Sequence, residues 1–211
     1  MTRSDGTEPL IAGSAVNGVR HLLLEEGVWD AVRAALVRAR PDAVAWIDTD
    51  LSVDPTKTEW IPVARYVQMM DALYAAVGDE RTFALGRERA HRTAVAGAFA
   101  PVVRSWQRTF GRDVGEFLKL TFHAWSTQTR HLGEFELADA GPGRARFVLR
   151  SPPALVAGCV GWQRFLAGYA TGLLDLVGRR GLCEIRMDSE GKDMHIAYRY
   201  DTDPPPPGSA K

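Results

Sequence analysis

Apolar residues recur in steps of three and four along most of the first 132 residues and in steps of two along much of the remainder, so helices give way to strands part-way along the chain. Residues 15–26 carry His21, Leu22, Leu23 and Leu24 ahead of Gly27, the pattern of a helix closed by a glycine. Val28, Val32, Ala35 and Leu36 then share one face while Arg33, Arg38 and Arg40 lie mostly elsewhere. Pro41 stops that pattern, which predicts a second helix packed on the first as a hairpin. Residues 41–59 are rich in turn and cap formers and read as a connection with one short helical turn at its centre. The clearest helical stripe is Trp60, Val63, Val67, Met70, Tyr74 and Val77, with Pro62 in its first turn and Gly78 at its exit. Three further helices are expected before Gly133, with breaks near residues 97–101 and near Gly111.

After Gly133 the period changes. "EFELADA" and "RARFVLRS" alternate apolar with polar residues around Gly141, Pro142 and Gly143, a hairpin ended by Pro152 and Pro153. Residues 154–177 read as one long helix in which Gly158, Gly161, Gly168 and Gly172 share a face with Phe165. Each glycine costs such a helix about 1 kcal/mol relative to alanine. That loss points to a close-packing face, either against the chain's own sheet or against a partner helix. "LCEIRMD" and "MHIAYRYD" form a second hairpin around Gly191. The expected organisation is a flexible tail over residues 1–13, a single domain over 14–201 and a proline-rich disordered tail over 202–211. The fold expected is α+β: an N-terminal helical layer packed on a small antiparallel sheet of two hairpins, with the long helix crossing it.

Composition narrows the function classes. Lys plus Arg and Asp plus Glu number 26 each in 211 residues, so no net field draws the chain to nucleic acid or to an anionic membrane. Cys159 and Cys183 are the only cysteines, too few and too far apart for a CxxC metal pair or a disulfide framework, which suits a reducing cytoplasm. The longest nearly apolar span, residues 151–174, is interrupted by Gln163 and Arg164 and reads as a buried helix, not a membrane span. No nucleophile with a base, no carboxylate pair in a loop and no phosphate-cradling glycine loop stands out, so the chain is read as non-enzymatic and without a cofactor. His123 with Trp125 and Phe122, and Cys159 with Trp162 on the glycine-rich helix, are the candidate ligand-pocket residues, and the ligand cavity is expected between the helical layer and the sheet. The plain alternatives are a core cluster with a histidine hydrogen-bonded at its edge, and a cysteine acting as a small buried hydrophobe. Arg87, Arg89 and Arg92, with Glu88 among them, read as solvent-facing charge.

The segments "NGVRHLLLEEGVW", "EWIPVARYVQMMDAL", "ALGRERA", "GEFELADAGPGRARFVLRSPP" and "VGWQRFL", in this order and followed by the closing hairpin, resemble a paralogous family of unknown function found mainly in myxobacteria. That family is distantly similar to the vinyl-reductase-type small-molecule-binding domain and to the haem nitric oxide/oxygen-binding domain. In the resembled family the last hairpin carries Cys-x3-Gly-x3-Cys. Here Met187 and His195 hold the cysteine places around Gly191 and are expected to face the same way across the hairpin. The haem-binding relatives imply a helical histidine for the iron and a Tyr-x-Ser-x-Arg clamp. In this chain Leu149 stands in the tyrosine place, Ser151 is kept and Pro153 replaces the arginine. His123 falls about two residues early for the iron ligand, a rotation of roughly 200° on a helix, and is preferred over His131. The resemblance therefore implies a cytoplasmic regulatory module, able to dimerise, that binds a small apolar molecule or a protein partner. The alternatives are a haem-based gas sensor and an enzyme without a familiar catalytic set.

Overall fold

A computed structural model describes residues 8–47, 59–96 and 114–202. The chain opens with β1 (Leu10–Ala12), followed by α1 (Gly13–Glu25) and α2 (Trp29–Ala39). Val16, Val19, Leu22 and Leu23 bury one face of α1, and Val32 and Leu36 that of α2. Between them Gly27 takes φ +67, which lets the N–H groups of Gly27 and Val28 reach the Leu24 and Leu23 carbonyls. A 3-10 turn at Pro41–Ala43 leads into the short α3 (Val44–Ile47) at the start of the connection; the centre of the connection, where a helical turn is expected, lies outside the described residues.

The flexible tail expected over residues 1–13 is corrected at its inner end; residues 1–7 lie outside the described residues. Leu10–Ala12 is the middle strand of a three-stranded antiparallel sheet, between β2 (Trp60–Pro62) and β3 (Thr129–Arg130). Ile11 is only 2% exposed and packs into the main core. The sheet also takes Trp60, which the helical stripe had claimed, and the Arg130 guanidinium lies 4.0 Å from its ring centroid. Strands this short have no period long enough to read; their partners, distant in sequence, make them strands. The expected C-terminal tail falls, beyond Thr202, outside the described residues.

Helix α4 (Val63–Ala96) begins directly after Pro62 and is broken once, at Gly78, whose φ of +77 and ψ of −177 are non-helical. Helix α5 (Val114–Ser126) ends seven residues before Gly133, the residue expected to stop it, because β3 intervenes. The two hairpins form where the alternation placed them: β4 (Glu134–Gly141) with β5 (Arg144–Arg150), and β6 (Gly181–Met187) with β7 (Asp193–Tyr200). Antiparallel pairing of β5 with β7 joins them into one sheet of order β4-β5-β7-β6. The α+β class is therefore correct.

The closing hairpin departs from expectation in register. A backbone bond from Asp188 N–H to the Asp193 carbonyl closes the loop, so the loop is not centred on Gly191. Met187 then pairs with Met194, and His195 with Arg186. A shift of one residue sends Met187 and His195 to opposite faces of the sheet, and they cannot act as a pair. Gly191 does take the positive φ expected of it, +68.

The helix expected over residues 154–177 is two helices, α6 (Ala154–Ala157) and α7 (Val160–Leu176). Gly158 caps α6 and is exposed, so it does not belong to the glycine face. Gly161, Gly168 and Gly172 do, and the backbone they approach is that of α4. A Cβ on Gly161 would lie 2.7 Å from the carbonyl carbon of Met70, on Gly168 2.8 Å from that of Phe83, and on Gly172 2.7 Å from the Arg87 carbonyl oxygen. Gly86 of α4 answers them, since its Cβ would meet the Phe165 backbone. The close-packing face is thus internal to the chain.

Two stability measurements follow. Gly168→Leu should lower the unfolding free energy by about 1–3 kcal/mol through overpacking, whereas on an open helix face the same change would raise it slightly. Chemical denaturation reads the sign, and a stabilised variant would remove the close-approach account. Ile11→Ala should cost about 2–4 kcal/mol, as a buried isoleucine does and a residue in a loose tail does not.

Candidate functional site

The structure separates the four expected pocket residues into two environments. His123 is exposed on α5. Trp125 is half-buried, and its indole Nε1, which can only donate, has no acceptor among the described residues. The inward residue of this turn is Phe122, whose ring centroid lies 4.7 Å from that of Phe135 and 4.3 Å from that of Phe147. Tyr198 continues the stack, with its ring centroid 6.1 Å from Phe147. Aromatic rings therefore fill the contact between α5 and the sheet where a ligand cavity was expected.

Cys159 and Trp162 belong to the contact between α7 and α4. Cys159 sits at the N-cap of α7, and its sulfur accepts the Trp162 N–H at 3.1 Å. Its thiol donates to Asp71 Oδ1 at 3.0 Å. Burial, and then the hydrogen bond to Asp71, push the thiol well above its ordinary range. Cys183 is pushed up as well, by burial and by Glu184. Both thiols are thus protonated structural groups and poor nucleophiles. The cleft of about 380 Å³ at one end of the four-stranded sheet is lined by Val114, Gly115, Gly141, Pro142, Arg179 and Thr202 among others, and by none of the four expected residues.

All five histidines of the chain lie within the described residues, and none is buried. His91 is held by Asp175, with Nε2 3.0 Å from Oδ2. His123 and His131 are exposed. No group of three or more His, Cys, Asp or Glu side chains able to hold a metal occurs among the described residues. At the places the clamp resemblance pointed to, Leu149 is 0% exposed in the core and Pro153 is the N-cap of α6. Ser151 has φ +47, and its N–H donates to Asp193. The neighbouring Arg150 is engaged by Glu136 and Asp193. A haem would need an inward axial ligand and donors for its propionates; the residues present at these places do not fit it.

Sequence reasoning missed the inward-facing Arg89. Arg87 and Arg92 behave as expected, Arg87 pairing with Asp175 and Arg92 with Glu25, Glu26 and Glu88. Arg89 instead sits on the buried stripe of Leu85, Gly86 and Ala90, beside Tyr66 and Tyr169. Its position three residues after Gly86 and four after Leu85 was the available signal. Burial lowers the Arg89 guanidinium below its ordinary range, offset in part by the two tyrosines. Burial in turn raises Tyr66 and Tyr169.

With this geometry in hand, the chain can be set beside known proteins. No family model matches it, and no curated relative does. Solved structures do. An Fe(II) unliganded H-NOX protein from K. algicida superposes with a TM-score of 0.56 at 8% identity, covering 92% of this chain and 98% of that one. An oxygen-binding H-NOX domain related to soluble guanylate cyclases, in its oxygen complex, gives a TM-score of 0.57 at 14% identity, covering 91% and 95%. The fold is the H-NOX fold. At these identities the likeness extends to architecture. It connects the helical layer, the two hairpins and the crossing helix α7 to a known α+β arrangement.

The two buried thiols make stability pH-dependent in a defined direction. Their folded-state pKa values are raised, so their contribution is fully present below the unfolded thiol value of about 8.5 and is lost as pH rises past it. Urea denaturation should show unfolding free energy falling by up to about 1.4 kcal/mol per pH unit for each thiol above about pH 9. Cys183→Ala should flatten that slope, and an unchanged slope would show that the thiol ionises in the folded state.

Proposed function

We propose that this chain is a non-enzymatic sensory domain on the H-NOX fold that binds a small molecule or a protein partner and does not use a histidine-ligated haem. The observation carrying the proposal is that every histidine is at or near the surface while the interior between α5 and the sheet is filled by Phe122, Phe135, Phe147 and Tyr198. The two thiols are buried and protonated, and the remaining described polar clusters contain no nucleophile set against a base.

The second reading is a haem-based gas sensor. Its support is the fold: H-NOX structures match over more than nine-tenths of the chain, and one of them is an oxygen-binding domain in its oxygen complex. That likeness favours the gas sensor more directly than it favours a small apolar ligand. The side chains favour the other reading. Membership of the myxobacterial paralogous family is part of the same proposal, supported by the order of the matching segments. So are a cytoplasmic location and a homodimer; zero net charge supports the absence of a nucleic-acid partner. No helix among the described residues is long and apolar enough to cross a membrane.

Protein expressed with haem supplied should show no Soret band at one haem per chain after purification. A stoichiometric band that disappears in His123→Ala would establish the gas-sensor reading and remove the proposed one. Native mass spectrometry of the same preparation would detect a retained ligand of another kind.

A further inference from the structure

The cleft at one end of the four-stranded sheet forms where the start of α5, the β4–β5 turn, the link from α7 to β6 and the end of β7 converge. Its volume of about 380 Å³ falls in the range of small-molecule pockets. Tyr200 holds the turn in place. Its backbone N–H donates to the Gly143 carbonyl at 2.9 Å, and its hydroxyl donates to the Gly141 carbonyl at 3.3 Å. Gly143 has φ +72, and a Cβ there would lie 2.9 Å from the Tyr200 carbonyl oxygen, so turn and strand end close on one another. This wall is therefore set by the chain's own bonds. The cleft adjoins the start of β5, whereas Leu149, Ser151 and Pro153 lie at or beyond its far end, so it is separate from the place of the clamp resemblance.

Among the described residues lining the cleft, Arg179 alone is charged. Its Nη1 donates to the Thr202 carbonyl at 2.9 Å, and its Nε is buried with no hydrogen-bond partner among the described residues. A buried N–H without an acceptor is costly and calls for an explanation. Two other arginines show what this edge of a guanidinium does when it is filled. Arg87 holds the Asp175 carboxylate through Nε at 2.6 Å and Nη2 at 2.9 Å, and Arg150 holds Glu136 through Nε at 2.9 Å and Nη2 at 2.8 Å. On Arg179 the same edge meets no carboxylate of the described residues. Asp201, flanked by the lining residues Tyr200 and Thr202, accepts the Arg180 N–H at 3.0 Å. Asp139, near the β4–β5 turn, pairs with Arg144 at 3.4 Å.

From this geometry we infer that the cleft binds a small organic carboxylate, with its oxygens on the Nε and Nη2 edge of Arg179 and its apolar part against Val114, Pro142 and Tyr200. The bond to Thr202 orients the guanidinium and leaves that edge for the ligand. The inference names a ligand class and a site for the small-molecule part of the proposed function and rests on that part. It involves no histidine. A stoichiometric Soret band beside an intact carboxylate response would overturn the haem statement alone and leave this site standing.

Thermal unfolding of the full chain in sodium benzoate tests it, against sodium chloride of matched ionic strength and against benzamide, which keeps the ring and lacks the charge. The expected result is a saturable rise in midpoint with benzoate beyond both controls. Amide NMR spectra of the same titration should show shifts at Gly115, Gly141 and Gly143. Sodium phosphate is a further arm, and a rise there with none in benzoate would overturn the carboxylate assignment. Arg179→Gln should abolish the benzoate rise. Arg179→Lys keeps the charge without the paired N–H edge and should weaken apparent benzoate affinity roughly tenfold. If Arg179→Gln does not fold, Arg179→Lys and the glycine shifts of the parent decide. No rise beyond the controls, no shift at the three glycines, or an Arg179→Lys variant equal to the parent overturns the inference.

Discussion

The contact on which the molecule depends is the backbone-to-backbone approach of α7 to α4. Glycine in a helix is a cost of about 1 kcal/mol per position, and α7 carries three on one face while α4 returns one. The approach they permit brings the α7 backbone against the Met70, Phe83 and Arg87 carbonyls, and Gly86 against the Phe165 carbonyl. Weak Cα–H···O contacts of the kind seen at close helix pairs become available in this geometry, along with dense dispersion contact. Side-chain interactions then fasten the edges: Cys159 to Asp71 at the start of α7, Arg164 to Asp79 in its second turn, and Arg87 with His91 to Asp175 near its end. The sheet is carried by the same helix, since α7 packs on β6 and the Thr171 hydroxyl accepts the Cys183 N–H.

This arrangement also explains why a chain with an H-NOX fold has so few inward polar groups where α5 meets the sheet. With α7 covering the sheet at β6, α5 covers it at β4 and β5, where the contact is made by aromatic rings. In the helical layer Arg89 has Tyr66 and Tyr169 as electrostatic neighbours. The outer charges act differently. Arg92 draws Glu25 and Glu26 at the end of α1 onto α4, and Arg81 adds a second tie to Glu26. Exposed pairs of this kind contribute little energy each, typically under about 1 kcal/mol, but they fix which residues of α1 face α4.

The sequence by itself determined the helices with long apolar stripes, the break at Gly78, both hairpins and the α+β class, because each rests on a local period or a turn residue that needs no distant partner. It also determined that the glycines of α7 face a backbone, since their cost had to be offset by close approach. Tertiary structure alone decided the strands Leu10–Ala12, Trp60–Pro62 and Thr129–Arg130, which are too short to show a period and exist through pairing across the chain. It decided the one-residue register that parts Met187 from His195, set by the loop closure at Asp188 and not by the spacing around Gly191. The separation of His123 from Cys159 and the inward turn of Arg89 were likewise decided there. A side chain's neighbours depend on how elements cross, and a linear pattern records only which face of its own element each residue occupies.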